Sequence, residues 1–198
     1  LFRPMVLAAL VAGDLLWDAG CSLPQAPPDT TRYSVLSSSP AKPAQADAAT
    51  SGSHWRVALR SVQTPSFLRG KAMQVRLGNN ELSFADDYRW AETLEAGLNL
   101  VLRADLDGRS AIAGVVASAG EPHDYDIVVH VLRCEGDSRT GVARFAAEVE
   151  IFSTGPGMPR RAHDTFTVEI PGWNRQDYGQ LAEKLSEAVE SGRASCRE

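Results

Sequence analysis

Apolar residues recur with period two at Trp55, Val57 and Leu59, with Arg56 and Arg60 on the opposite side, the pattern of a half-buried strand. Met73, Val75 and Leu77 alternate with Gln74 and Arg76; Gly78-Asn79-Asn80 supplies turn chemistry, and Leu82 and Phe84 begin a return strand. At Asp86 the period changes. Trp90, Leu94, Leu98, Val101 and Leu102 fall on one side of a helix expected over about 86–104, with Asp86 and Asp87 in its first turn, where carboxylates complement the helix dipole. Burying five such side chains at about 1.5–3 kcal/mol each is worth on the order of 10 kcal/mol gross, which makes the helix core-facing. Gly97 inside it costs roughly 1 kcal/mol relative to Ala.

Three more alternating runs follow. Ile127, Val129 and Val131 form the first; Ala143, Phe145, Ala147, Val149 and Ile151, opposite Arg144, Glu148 and Glu150, form the second. Phe166, Val168 and Ile170 form the third. Short connections between them favour antiparallel hairpins. Pro171-Gly172 ends the series, and Asn174 is placed to cap a final helix over about 174–190. Tyr178, Leu181, Leu185 and Val189 make its stripe, and Gly192 is expected to stop it. The pattern predicts an α+β sandwich: a mixed, largely antiparallel sheet packed by two long helices. Tyr33-Ser-Val-Leu36 adds a short strand upstream, and residues 37–53, mostly Ser, Pro, Ala, Thr and Gly, read as a flexible loop. The globular domain is therefore expected over 54–192, with 193–198 as a tail.

Composition narrows the function. The chain has 198 residues, 43% of them hydrophobic and 23% charged, enough apolar material for a sizeable core. A net charge of -5 without a basic block argues against nucleic acid as a partner. No apolar run reaches the roughly 18 residues of a membrane-spanning helix. Three widely spaced cysteines make neither a disulfide framework nor a zinc cage.

The front end has its own logic. Arg3, the apolar run from Met5 to Gly13, and the small pair Ala19-Gly20 before Cys21 have the layout of a secretory signal peptide over 1–20. A cysteine directly after the small pair resembles the lipobox of bacterial lipoproteins, in which that cysteine is acylated. Asp18 stands where such sites usually carry Leu. The competing reading, a buried N-terminal helix, is disfavoured by Asp14, Asp18 and Gly13. Residues 21–53 then read as a lipidated tether, with prolines and no periodicity after Cys21. The resemblance implies a lipid anchor, and neutral Ser22 in place of Asp favours the periplasmic face of the outer membrane.

The stretch from Phe67 to Leu106 carries the most specific signal. Pro65-Ser66-Phe67-Leu68-Arg69, then Gln74-Val75-Arg76, then Arg89 followed by Trp90-Ala91-Glu92-Thr93-Leu94, resembles the ABC-type transport auxiliary lipoproteins, the family of paraquat-inducible protein C and the YmbA lipoprotein. Phe67 replaces the Tyr of the family's Pro-x-Tyr-Leu-x-Arg. Tyr33 to Leu36 and the strand 127–136 fit as well, with Cys134 where an aromatic is common. The likeness covers about residues 19–190. It implies a non-catalytic subunit of a system that contains a mammalian-cell-entry (MCE) domain protein and moves phospholipid or other hydrophobic cargo between membranes. Such a subunit would dock on the envelope-spanning MCE protein and help maintain membrane integrity. Tyr33, Arg89, Trp90 and Leu94 are then motif residues with structural roles, and Phe67, Leu68, Arg69 and Arg76 are the candidate docking residues, because docking is commonly placed on loops. No cofactor is implied, and self-association into a homo-oligomer is left open.

Sharper chemistry has plainer explanations. Arg56, Arg60, Arg69, Lys71 and Arg76 lie in a stretch, 48–80, without an acidic residue; a basic face for anionic headgroups is one reading. The solvated side of two strands, balanced by acidic helices, is the preferred one. His123, Asp124 and Asp126 read as loop chemistry before a strand rather than metal ligands, and Gly136-Asp137-Ser138 as a tight turn rather than the opening of an esterase motif. Gly-x-Ser-x-Gly, His-Glu-x-x-His and phosphate-loop motifs are absent. A Cys134–Cys196 bridge is permitted in an oxidising compartment but is not expected. Two rivals to the transport subunit remain. A stand-alone lipid- or ligand-binding lipoprotein requires an apolar cavity within the sandwich, and an exported hydrolase requires Ser138 beside a His and a carboxylate.

Overall fold

In a computed structural model, residues 28–38, 55–107, 112–116 and 120–195 are described. A unit of residues 1–30 precedes a compact unit beginning at Thr31, which carries every element below. The signal segment 1–20, Cys21, most of the 37–53 loop and Cys196 lie outside the described residues.

The strands are β1 (Arg32–Ser34), β2 (Trp55–Gln63), β3 (Ala72–Gly78), β4 (Glu81–Trp90), β5 (Ile112–Val115), β6 (Tyr125–Asp137), β7 (Val142–Ser153) and β8 (Arg160–Ile170). The helices are α1 (Leu94–Asp107) and α2 (Tyr178–Ser195). The eight strands form one mixed sheet. Together the sheet and the helices build the expected α+β sandwich, with both apolar helix stripes in one core cluster with the sheet.

Strand β6 organises the sheet. One edge pairs antiparallel with β7 along its whole length, from Tyr125 opposite Ser153 to Asp137 opposite Val142. The other edge is shared. Its first half runs parallel to β2, from Val57 opposite Tyr125 to Gln63 opposite His130. Its last residues run parallel to β3, Val75 opposite Gly136 and Arg76 opposite Asp137. Irregularities at Leu59/Ser61 in β2 and Val131/Arg133 in β6 shift the alternation. They explain why Val62 is buried although it is out of phase with Val57 and Leu59.

The hairpin expected at Asn79-Asn80 forms, with Gly78 opposite Glu81, and the long antiparallel ladders β6–β7 and β7–β8 match the alternating runs. The parallel pairings of β1 with β4, and of β2 with β5 and β6, were not legible because they join distant segments.

Two helix starts differ from expectation. Asp86 to Trp90 continue β4 rather than opening a helix, because this segment pairs with β1: Arg32 lies opposite Tyr88, Tyr33 opposite Arg89, and Ser34 opposite Trp90. Helix α1 begins at Leu94, where the Thr93 hydroxyl accepts the Ala96 amide at 3.3 Å. Helix α2 begins at Tyr178, capped by Asp177, whose carboxylate accepts the Gln180 amide at 3.0 Å. Asn174 instead closes the preceding turn, its carbonyl accepting the Asp177 amide at 2.7 Å.

Gly192 does not stop α2; the helix runs on to Ser195. Its lack of a side chain serves packing, since a Cβ there would collide with the Phe166 ring. Gly136 has the same role on β6. Trp173 lies over it, held by its indole N–H to the Asp177 carbonyl at 2.8 Å, and a Cβ would sit 2.5 Å from the indole. Gly136→Ala is therefore expected to cost about 1–3 kcal/mol by overpacking. Urea unfolding followed by Trp fluorescence checks this, and an unchanged midpoint contradicts the assigned contact.

Candidate functional site

The motif residues come together in space. Tyr33 and Arg89 meet in the β1–β4 ladder although 56 positions separate them in the chain. Trp90 and Leu94 point into the core with Leu36. Tyr33 itself is exposed. Beside this ladder Tyr88 stacks on Tyr178 at 4.4 Å and 16°, and the Arg32 guanidinium lies 5.9 Å from the Tyr88 ring. Burial holds the Tyr178 hydroxyl above the usual tyrosine range, assisted by Tyr88 and Asp86. Tyr88, next to the motif on β4, thus ties that strand to the start of α2.

The candidate docking residues divide. Ser66–Leu68 form a 3-10 turn between β2 and β3, with Phe67 and Arg69 exposed. Leu68 is 2% exposed and plugs the core. The Gln74 side-chain amide donates to the Phe67 carbonyl and holds the turn against β3. Arg76 is engaged elsewhere. Its guanidinium grips Glu135 with two bonds, Nε to Oε1 at 2.5 Å and Nη2 to Oε2 at 3.0 Å, and Nη1 donates to the Asn79 carbonyl at 2.9 Å. Glu135 is 0% exposed, and its hydrogen bonds raise the Arg76 pKa against the cost of burial.

Other basic residues of this stretch also have carboxylate partners. Arg60 reaches Asp126 at 2.9 Å, and Arg56 reaches Glu121 at 3.8 Å. Asp126 also faces His123 at 3.1 Å, while Asp124 accepts the Arg56 amide at 2.8 Å. The balancing carboxylates therefore lie on β6 and the segment before it, not on the helices as expected. Among the described residues no group of three or more His, Cys, Asp or Glu is placed to hold a metal ion.

Gly136-Asp137-Ser138 forms the entry to the β6–β7 turn. The Ser138 hydroxyl donates to the Arg76 carbonyl at 3.0 Å. Burial opposes ionisation of Asp137, but the amides of Arg139 and Thr140 and the charge of Arg144 outweigh it, holding the carboxyl below its ordinary range. Gly141 closes the turn at φ +70°. Cys134 is buried, and burial together with the neighbouring Glu135 pushes its thiol up to about 12.

A larger feature went unseen in the sequence. Between the sheet and the C-terminal halves of the two helices lies a cavity of about 620 Å³. Leu102 and Leu106 of α1 and Val189 and Gly192 of α2 form its helical walls. Val57, Ile127, Val129, Phe145, Val149 and Ile151 form its floor. Trp55 and Tyr125, packed edge to face at 5.3 Å and 75°, line it as well. Among the described lining residues Arg161 alone is charged. Floor and walls obey the same apolar pattern as a filled core, so periodicity had no means of revealing the space. The only sequence-level sign was Arg160-Arg161, which breaks the alternation at the start of β8.

The family model for the ABC-type transport auxiliary lipoprotein component matches residues 35–193, and the chain belongs to this family. Two solved structures share the fold. A DUF330 protein from Xanthomonas campestris is 18% identical with a TM-score of 0.65, covering 81% of this chain and 89% of that one. An uncharacterized protein is 15% identical with a TM-score of 0.67, covering 84% and 97%. No curated protein matches the chain significantly. No helix among the described residues is long and apolar enough to cross a membrane.

Removing Arg76 strands a buried carboxylate. Arg76→Ala is expected to cost about 3–5 kcal/mol, whereas Arg76→Met combined with Glu135→Leu recovers most of that loss. Chemical denaturation of the three proteins decides the matter, and equal losses in the single and double variants contradict it. In the folded protein at pH 8, four units below its raised pKa, Cys134 is expected to escape iodoacetamide and to react only in denaturant. Mass spectrometry of the peptide carrying Cys134 provides the readout.

Proposed function

We propose that this transport auxiliary lipoprotein is a non-catalytic subunit of an ABC-type system containing an MCE-domain protein, anchored through a lipid on Cys21 to the periplasmic face of the outer membrane. In this reading it docks on the envelope-spanning MCE subunit, assists movement of phospholipid or other hydrophobic cargo, and so helps maintain membrane integrity. The observation that carries the reading is the family match across 35–193, which spans every strand after β1, all of α1 and all but the last two residues of α2. The arrangement around Ser138 supports a non-catalytic role, since the hydroxyl is committed to the Arg76 carbonyl as part of a turn.

For docking, the proposal keeps Phe67 and Arg69, the exposed members of the turn between β2 and β3. Leu68 contributes by seating the turn in the core, and Arg76 by holding β3 to β6. Phe84, exposed on β4 opposite Gln74, adds apolar surface beside the same turn. Aromatic and arginine side chains are the common energetic centres of protein interfaces.

A second reading has an observation in its favour. The apolar cavity is what a stand-alone lipid- or ligand-binding lipoprotein would need.

Pull-down of the full-length protein from its own membranes in mild detergent, with mass spectrometry of all retained proteins, separates the two. Recovery of an MCE-domain protein is expected, and Arg69→Glu is expected to reduce it about tenfold, the effect of losing one interface centre. Recovery of the lipoprotein alone, with Cys21 acylated, overturns the subunit reading in favour of the free-standing binder.

A further inference from the structure

We propose that the cavity between the sheet and the helices is a lipid site, holding one acyl chain of an anionic phospholipid with its headgroup against Arg161. The inference deepens the transport reading, on which it rests for the choice of a membrane lipid. Its geometry stands separately.

Protein interiors are close-packed, and an apolar recess of about 620 Å³, open on one side to solvent, lies within the size range of small-molecule sites rather than of packing defects. Water ordered on its apolar floor is a poor occupant, because such a water needs two to four polar partners. The floor offers aliphatic side chains and Phe145, and the walls add Leu102, Leu106 and Val189. A peptide is a poor occupant for the same reason. The floor is made of apolar side chains, so the amides of a segment laid on it would be buried without partners there. The chain's own 37–53 segment, mostly Ser, Pro, Ala, Thr and Gly, lacks aliphatic or aromatic side chains larger than Ala to fill the space. A hydrocarbon chain makes no such demand.

Charge complementarity selects the headgroup. The charged lining residue is a cation, Arg161, which is exposed on β8. It sits where the β7–β8 register shifts, between Ala162 opposite Ile151 and Arg160 opposite Phe152. A shift of this kind re-aims a side chain. Arg160 is held by Glu150 at 3.0 Å, so the adjacent arginines have separate tasks. The guanidinium of Arg161 suits a phosphodiester, to which it can donate two hydrogen bonds. Trp55 and Tyr125 add rings with an apolar body and a polar edge, the side chains that settle where hydrocarbon meets headgroup.

The test uses the full-length protein in phosphatidylcholine vesicles carrying either phosphatidylglycerol or phosphatidylcholine with a photoactivatable group on one acyl chain. Irradiation followed by peptide mapping is expected to label cavity peptides, those of β2, β6 and the end of α1. Ala162→Trp and Ile112→Trp, which fill the cavity from different walls, are expected to lower that labelling about fivefold or more while the thermal melt is retained. Arg161→Gln is expected to abolish a preference of about three- to tenfold for the phosphatidylglycerol probe. Labelling that is the same in wild type and both filled variants, or that is confined to the first thirty residues, overturns the site. Equal labelling by both probes in wild type overturns the assignment of Arg161. No transport partner is present, so the outcome is independent of the pull-down. A labelled protein without an MCE partner keeps the site and loses the subunit, and a partner-bound protein with an unlabelled cavity does the reverse.

Discussion

The ion pair of Arg76 with Glu135 is the point on which the sheet turns. Strand β6 changes partner along one edge, from β2 to β3, and the ladder with β3 is only two residue pairs long. A ladder so short offers little register information of its own. Glu135, fully buried, supplies it. Its carboxylate requires a cation, and Arg76 meets that demand only when β3 sits in the observed register. The Ser138 amide and hydroxyl, both donating to the Arg76 carbonyl at 3.0 Å, fix the same residue from the backbone side. Once β3 is placed, β4 follows through its hairpin, and β1 and the start of α1 follow through β4.

The two sides of the sheet have different chemistry. The side away from the helices carries paired charges: Arg60 with Asp126, His130 with Glu150, His163 with Glu148, and Arg144 with Glu169. Such pairs are worth little individually at an exposed surface. They commit Arg60 and Arg144 to the protein's own carboxylates. The helical side carries the hydrophobic core, and between it and the helices space remains over β2, β6 and β7. Gly192 and Phe166 are in contact at the edge of that space, so cavity size depends on the close approach of α2 to β8.

Family membership and cavity speak to different levels of function. The first makes the chain an auxiliary component of an ABC-type transport system. The second is a local property of this chain's side chains. A subunit that receives hydrophobic cargo and a subunit that merely bridges membranes would share the fold, and a 15–18% identical relative shares nothing more specific than that fold. Arg161 and the Trp55–Tyr125 pair give the cavity its polarity.

Local pattern alone specifies the sandwich class, the long antiparallel runs, the Asn79-Asn80 hairpin and the apolar faces of both helices, because each repeats with period two or 3.6. It also carried the family in the short block around Trp90 and Leu94. Tertiary structure decided what local pattern leaves open. Asp86 to Trp90 became strand because Arg32–Ser34, far upstream, pairs with them, and pairing of that range leaves no mark in a short window. Gly192 and Gly136 became contact points rather than breaks because Phe166 and Trp173 press against them. Arg76 is committed to Glu135 because that buried carboxylate lies beside it only in the folded sheet. A cavity, last, is a difference between what side chains fill and what the elements enclose, and that difference exists only once the elements are placed in three dimensions.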